Sequence, residues 1–324
     1  MHLEVIRDPS RWRSLVPEWR TLAEQCEHTT PFQLPEWLLP WWAHFGSGEL
    51  VVLAFWEQDR LVGLAPFFLH QWDGRRQVTL IGSGISDYLE PMMLPQRKNK
   101  ILEQLRDYLQ HRSDWDICFW QDLNHDTPLA LLGELRPDTP SSVILFDWFE
   151  KSFDEYWSAR GPNLRRNVRR YGHRAHSTGP VEFAVSSAAE PSLIDALLQL
   201  HGARWRAHGQ SGMVATNNSD SFLRDSACAF ARHNILRIFS LHIRAEIAAI
   251  ILAFELRGRM YGYLTGFDPA VEHFGPGRLL LHHTLRHCFA QGCTGWDFLR
   301  GEEAYKADWG AEPVLKSRVV LERK

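Results

Sequence analysis

The sequence is short of the features that mark membrane, disulfide-bonded and fibrous proteins. No apolar window approaches the roughly 18 residues that cross a bilayer. The amino terminus, Met1-His2-Leu3-Glu4-Val5-Ile6-Arg7, has no basic segment followed by an apolar run. Both absences imply a cytoplasmic protein without a membrane span. Cysteine is sparse: Cys26, Cys118, Cys228, Cys288 and Cys293 are scattered, odd in number and without a C-x-x-C pair. That pattern suggests neither a disulfide framework nor a zinc knuckle. There is no low-complexity tract, G-x-S-x-G, Walker A or dinucleotide fingerprint. A net charge of −3 gives no global attraction to DNA or anionic lipid, so any anion binding must be local.

What is present is an ordinary globular composition, 44% hydrophobic and 23% charged over 324 residues, enough for two domains. The 14 tryptophans are dispersed, as expected of core anchors. A helix is expected over Ser10–Gln25, with Trp12, Leu15, Trp19 and Leu22 on one face, and a second over Glu36–Phe45. Leu50–Trp56 and Leu61–Leu69 read as a hairpin, Val78–Ile81 as a strand, Lys98–His111 as a helix and Asp116–Trp120 as a strand. The second half repeats this order. It has a strand at Val181–Val185, helices over Pro191–His208 and Ser219–His233 with Ser219 as N-cap, and a hairpin of Leu236–Ile243 and Glu246–Leu256. A strand at Met260–Phe267, a helix over Gly277–Gln291 stopped by Gly292, and a strand at Gly295–Arg300 complete it. Asp87 to Pro91, a helix and Trp115 to Phe119 are echoed by Tyr263 to Pro269, a helix and Gly295 to Leu299. The fold class implied is α/β (α+β): two copies of one module, each a mixed, mostly antiparallel sheet flanked by helices. The boundaries read as 1–145, a basic connecting segment 146–180, and 181–324.

The two copies differ at one turn. Phe274-Gly275-Pro276-Gly277-Arg278 lies where a strand hands over to a helix, and its free amides and helix dipole would face a docked anion. The first copy has Pro95-Gln96-Arg97-Lys98 there, without glycines. Only the second copy is expected to cradle a pyrophosphate.

The segments "GPGRLLL" and "DFLRGEEAYK", with "PFQLPEWLLPWW", "SDYLEPMML" and "NLRRNVRR", resemble the GNAT (Gcn5-related N-acetyltransferase) superfamily, in the BioF2-like or CelD/BcsL-type branch related to the tandem FemABX transferases. The resemblance implies two tandem GNAT-like modules. The first would be degenerate, without a phosphate loop, and the second would carry the acyl-CoA site. It implies acyl transfer from acetyl-CoA or another acyl-CoA to a primary amine of a small molecule or amino sugar, possibly of an envelope or exopolysaccharide pathway. Phe274, Gly275, Gly277 and Arg278 would then take the pyrophosphate, and Leu264 and Thr265 would lie along the strand that holds the thioester carbonyl. The chain departs from the superfamily signature in that Val271 stands at the first Arg or Gln. One alternative is a FemABX-like aminoacyl-tRNA-dependent transferase, with tRNA as partner. Another is a non-catalytic binding or scaffold protein.

Acyl transfer needs a proton donor for the leaving thiolate and a base for the amine. Tyr305 is the candidate acid, or else an aromatic lid. Asp297, Glu302 and Glu303 are candidate bases. Asp297 reads equally as a carboxylate ordering the strand end, and Glu302 and Glu303 as caps of a following helix. Asp87, Tyr88 and Glu90 read either as the acceptor end or as a strand-end turn held by side-chain hydrogen bonds, and Arg166 and Arg170, of the run Arg165, Arg166, Arg169 and Arg170, either as a solvated face or as contacts to an anionic acceptor or to RNA. His282, His283 and His287 lack the glutamate of H-E-x-x-H, so no metal is expected and a helix-surface role is.

Overall fold

Trp12, Leu15, Trp19 and Leu22 are at most 1% exposed, and Trp12 stacks on Trp19 with ring centroids 5.5 Å apart. The face predicted from their spacing therefore packs inward, but it is carried by two helices, α1 (Pro9–Ser14) and α2 (Val16–Gln25), not one. The break falls at Leu15, because Pro17 lies in the first turn of α2 and donates no backbone N–H to continue the ladder. The computed structural model describes residues 1–150, 152–207 and 217–323, with the backbone alone for 204–207 and 217. The chain divides into two units, Met1–Pro140 with Leu315–Lys324, and Ser141–Val314.

The first unit begins with β1 (His2–Ile6), followed by α1, α2, α3 (Pro35–Phe45), β2 (Glu49–Glu57), β3 (Arg60–Trp72), β4 (Arg75–Leu80), the short β5 (Met92–Met93), α4 (Lys98–His111) and β6 (Ile117–Asn124). Next, β7 (Glu134–Leu145) leads into the second unit: α5 (Phe153–Ser158), α6 (Pro162–His176), β8 (Val181–Ser186), α7 (Pro191–Ala207), α8 (Asn217–Ala231), β9 (Leu236–Ile243), β10 (Glu246–Leu256), β11 (Arg259–Phe267), α9 (Pro276–Ala290), β12 (Gly295–Arg300) and α10 (Ala304–Asp308). Finally, β13 (Glu312–Glu322) returns to the first unit.

Within the first unit the strands run β1-β2-β3-β4-β6-β13, antiparallel except for the pair β4/β6, and β5 pairs with β3. Within the second they run β7-β12-β11-β10-β9-β8, antiparallel except for β11/β12. Each unit takes one strand from beyond its own half of the sequence. Ser141–Leu145 of β7 pair with β12, and Lys316–Glu322 of β13 pair with β6. The tandem α/β architecture expected from the repeated order is present, with β13 contributing to the first unit where the sequence reading kept all of 181–324 together.

Three further expectations change. Ser219 lies inside α8, which starts at Asn217, so it is not the N-cap; His208 lies outside the described residues. The segment 146–180 is not a connector. Its α5 and α6 bury Tyr156, Leu164, Val168 and Ala175 in the core of the second unit, with the Tyr156 hydroxyl donating to the Trp309 carbonyl at 2.7 Å. The echo of Trp115-Asp116 in Trp296-Asp297 is out of register. The bulged residues Asp122 of β6 and Leu299 of β12 share φ near +60°, and counting back from them sets Asp297 against Trp120. The glycine stop of α9 holds: Gly292 has φ +72° and donates to Phe289, while Cys293 donates to the Cys288 carbonyl at 3.0 Å.

Candidate active site

The strand β11 sets the geometry. Its pairing with β10 is interrupted by a bulge at Tyr263, which re-aims the backbone as such insertions do. Gly262 and Gly266 on either side are sterically required. A Cβ on Gly262 would stand 2.4 Å from the Trp296 ring, and one on Gly266 would stand 2.7 Å from the His201 amide of α7. On its other edge β11 pairs with β12 only over Arg259↔Gly295, Met260↔Trp296 and Tyr261↔Asp297. Among the described residues, Gly262–Phe267 have no strand on that edge, so backbone groups there are open to a ligand. Leu264 is buried, and the Thr265 carbonyl accepts from His201 Nδ1 at 3.0 Å. A carbonyl only accepts, so this contact fixes the proton on Nδ1. Sequence reading missed His201, because a buried helix histidine carries no local pattern.

The end of β12 is held by two side chains. Asp297 is fully buried and its Oδ1 accepts from the Leu299 amide at 2.8 Å, which stabilises the left-handed turn at Leu299. The buried Tyr261 hydroxyl is pushed up to about 12, mainly by burial and then by the Asp297 charge. Lys306, 3% exposed, sends Nζ to the carbonyls of Leu299, Arg300 and Gly301 at 3.2, 2.9 and 3.0 Å and pairs with Glu303 at 2.8 Å. Gly301, at φ +117°, completes the turn; a Cβ there would meet the Glu303 carboxylate. Lys306 closes the string "DFLRGEEAYK", but its role depends on three main-chain carbonyls and so left no trace in the residue pattern. Tyr305, 40% exposed, packs edge-on against Phe298 with centroids 6.0 Å apart, and Glu302 is exposed beside it.

The connection 268–275 winds through a 3₁₀ turn directly into α9. Gly275, left-handed at φ +59°, is the N-cap, and its own amide goes to the Glu272 carbonyl at 2.7 Å. Pro276 has no amide proton. The anion-facing donors are therefore those of Gly277 and Arg278, in a first turn with no side-chain cap. A Cβ on Gly275 would lie 2.5 Å from the Tyr171 ring of α6, whereas one on Gly277 would meet only Phe267 Cδ1, at 3.8 Å. Phe274 is buried beneath the turn and Arg278 is exposed above it.

The remaining predicted residues fall elsewhere. Arg166 and Arg170 lie exposed on α6. Asp87, Tyr88 and Glu90 lie in the first unit, in the connection 81–97. There Tyr88 lies beneath the buried Lys316, whose Nζ is 3.5 Å from the ring centroid, and Glu90 Oε2 accepts from Asn124 at 2.8 Å. Burial raises the Glu90 carboxyl, opposed by the Thr127 hydroxyl and the Lys316 charge. The α9 histidines are packing groups, not surface groups. His282 meets Trp157 edge-on and His283 stacks on Phe183; burial lowers each to about 4.

Strands β11 and β12 thus part beyond Tyr261, and the uncapped start of α9 follows the free stretch of β11. Residues 162–307 match the acetyltransferase (GNAT) domain family. The matched stretch begins at α6 and ends in α10, so it spans the basic helix and the whole Lys306 turn. Solved structures extend the likeness to the full chain. That of FemX has 11% identity, covers 99% of this chain and 98% of its own, and superposes with a TM-score of 0.69. A tandem GNAT protein from the clavulanic acid biosynthesis pathway has 14% identity, the same coverage of 99% and 98%, and a TM-score of 0.52. L-PGS from Bacillus licheniformis has 14% identity, covers 95% and 91%, and has a TM-score of 0.59. At such identities the likeness is one of fold: two tandem GNAT-like modules. No curated protein sequence matches the chain. Among the described residues no helix is long and apolar enough to cross a membrane.

Proposed function

We propose that the protein is an N-acyltransferase that takes its acyl group from a coenzyme A thioester, acetyl-CoA or a longer one, and transfers it to a primary amine of a small molecule or amino sugar. The acceptor class, and its placement in an envelope or exopolysaccharide pathway, rest on the resemblance. The observation that carries the reading is the open edge of β11, which runs through one short turn into the uncapped start of α9. The open space at Gly277 suits close approach of a phosphate, and the Gly277 and Arg278 amides would hold it, with the Arg278 guanidinium adding a charge-assisted contact. Phe274 and Gly275 shape the turn. Leu264 and Thr265 lie on the strand along which the acyl end would run.

A coenzyme A thioester supplies an electrophilic carbonyl, and the chain supplies the rest. The role of protonating the departing thiolate goes to Tyr305, whose side chain is open to solvent. Asp297 is buried and bonded to the Leu299 amide, which favours strand ordering over proton abstraction. Glu303 is tied to Lys306, leaving Glu302 as the carboxylate best suited to accept a proton. Asp87, Tyr88 and Glu90 remain the proposed acceptor-binding residues of the first unit. The direct test is calorimetry with CoA, expected to show micromolar binding.

A second reading, aminoacyl-tRNA-dependent transfer, is favoured by the full-length likeness to FemX and by the arginines of α6. It predicts salt-sensitive tRNA binding without CoA binding. Absence of both ligands would favour a scaffold.

A further inference from the structure

Helix α6 carries Arg165, Arg166, Arg169, Arg170 and Arg174 and no acidic residue, and among the described residues none of the five arginines has a carboxylate partner. Arg165 Nε is out of solvent with no acceptor. Such unneutralised charge disfavours the helix unless an anion joins it. Three of the arginines, Arg166, Arg170 and Arg174, recur at i, i+4 and form one stripe about 12 Å long.

That stripe is anchored to the turn before α9. Arg174 donates to the His273 carbonyl at 2.7 Å. Arg170 covers Tyr171, with its guanidinium 5.3 Å from the ring centroid, and Tyr171 in turn seals Gly275. Gly172, on the next position, faces Leu279 of α9. The cationic stripe therefore ends beside the amides of Gly277 and Arg278. It belongs to the same face of the second unit as the donor site, not to the acceptor side where sequence reasoning set Arg166 and Arg170.

We propose that Arg166 and Arg170, with Arg174 fixing the helix, bind the terminal phosphate monoester of the acyl donor, the group that coenzyme A carries on its ribose. This inference rests on the coenzyme A reading above. Two internal phosphates of a pyrophosphate are served by the α9 amides. A dianionic monoester at the far end of the ligand needs separate cations, and guanidinium forks match its geometry. The stripe thus acts in donor selection, discriminating a phosphorylated from an unphosphorylated nucleotide end.

The test is calorimetry of the full chain with CoA and with 3′-dephospho-CoA. Wild type should bind CoA about tenfold more tightly than the dephospho form. The double variant Arg166→Gln/Arg170→Gln should bind the two equally, with its affinity for the dephospho form within about twofold of wild type. Circular dichroism melting serves as the fold check, and Arg174→Gln, which also loses the His273 contact, is expected to weaken both ligands. If the double variant keeps the wild-type discrimination, or weakens both ligands alike, the stripe assignment fails while the donor reading stands. If wild type binds neither ligand, both fall; tRNA binding lost in the double variant would then assign the stripe to RNA instead.

Discussion

The two units part their parallel strands in the same way and then use the opening differently. In the first, β4 and β6 pair only at Gln77↔Ile117 and Val78↔Cys118, and the long connection 81–97 folds back so that the Leu89 amide donates to the Asp122 carbonyl at 3.0 Å. The unit fills its own opening. In the second, β11 and β12 pair over three residues, and the short connection 268–275 goes straight to α9. At the corresponding helix starts, Arg97 is bound by Glu57 at 2.7 Å, whereas Gly277 faces open space. One architecture can thus carry a filled strand opening or an open strand edge, depending on the length of one loop and two glycines.

The largest effect expected to break this contrast is removal of the Lys306 ammonium. Lys306→Met takes a shared donor from the Leu299, Arg300 and Gly301 carbonyls, of which Gly301 keeps the Ser142 hydroxyl at 3.3 Å, and should cost ~3 kcal/mol. Hydrogen exchange should show the loss in the second unit with protection in the first unchanged. Equal loss in both would mean that Lys306 does not define the second opening.

Acid should also separate the units. His282 and His283 titrate near 4 in the fold, and an exposed imidazole does so near 6.5. Between those values the unfolded chain binds more protons, so this stability is complete above about pH 6.5 and drains as pH falls toward 4. A shift of that size is worth on the order of 3 kcal/mol for His282, and less for His283, which solvent screens more. The first unit has one such group, His70, lowered by burial, and Glu90 with the opposite sign: its raised carboxyl takes up a proton sooner in the fold, which favours the folded unit as pH falls. Melting monitored between pH 7 and 4.5 should show the second unit destabilised first. His282→Phe should flatten that slope, and an unchanged slope would show that His282 is not its source.

Next in size is Tyr305→Phe. Loss of a general acid should lower kcat about a hundredfold with CoA affinity unchanged. An unchanged kcat would make Tyr305 a lid over Phe298.

Much of the contrast was legible in sequence, because it rests on backbone chemistry that glycine and proline announce. The hairpin around Arg244-Ala245, the strand Gly295–Arg300 and the helix Lys98–His111 emerged with the bounds read from their residues. Strand β7 did not, because Pro137 and Pro140 interrupt it, and neither did β13. The functions of Lys306 and His201 depend on carbonyls of Leu299 to Gly301 and Thr265, distant partners that no local spacing encodes. The histidines of α9 misled for a related reason: helical position suggests a surface, but Trp157 and Phe183 from other elements cover them.

The most direct test of the central claim is the stoichiometry of CoA binding by calorimetry in wild type, Gly277→Val and Gln96→Val. Valine at 277 meets no close neighbour and should leave the fold intact, so a change in affinity there reports on the ligand. The expected result is one CoA per chain, weakened at least tenfold by Gly277→Val and unaffected by Gln96→Val in the first unit. Binding that survives Gly277→Val, or that is lost with Gln96→Val, would contradict the assignment of the donor to the second unit.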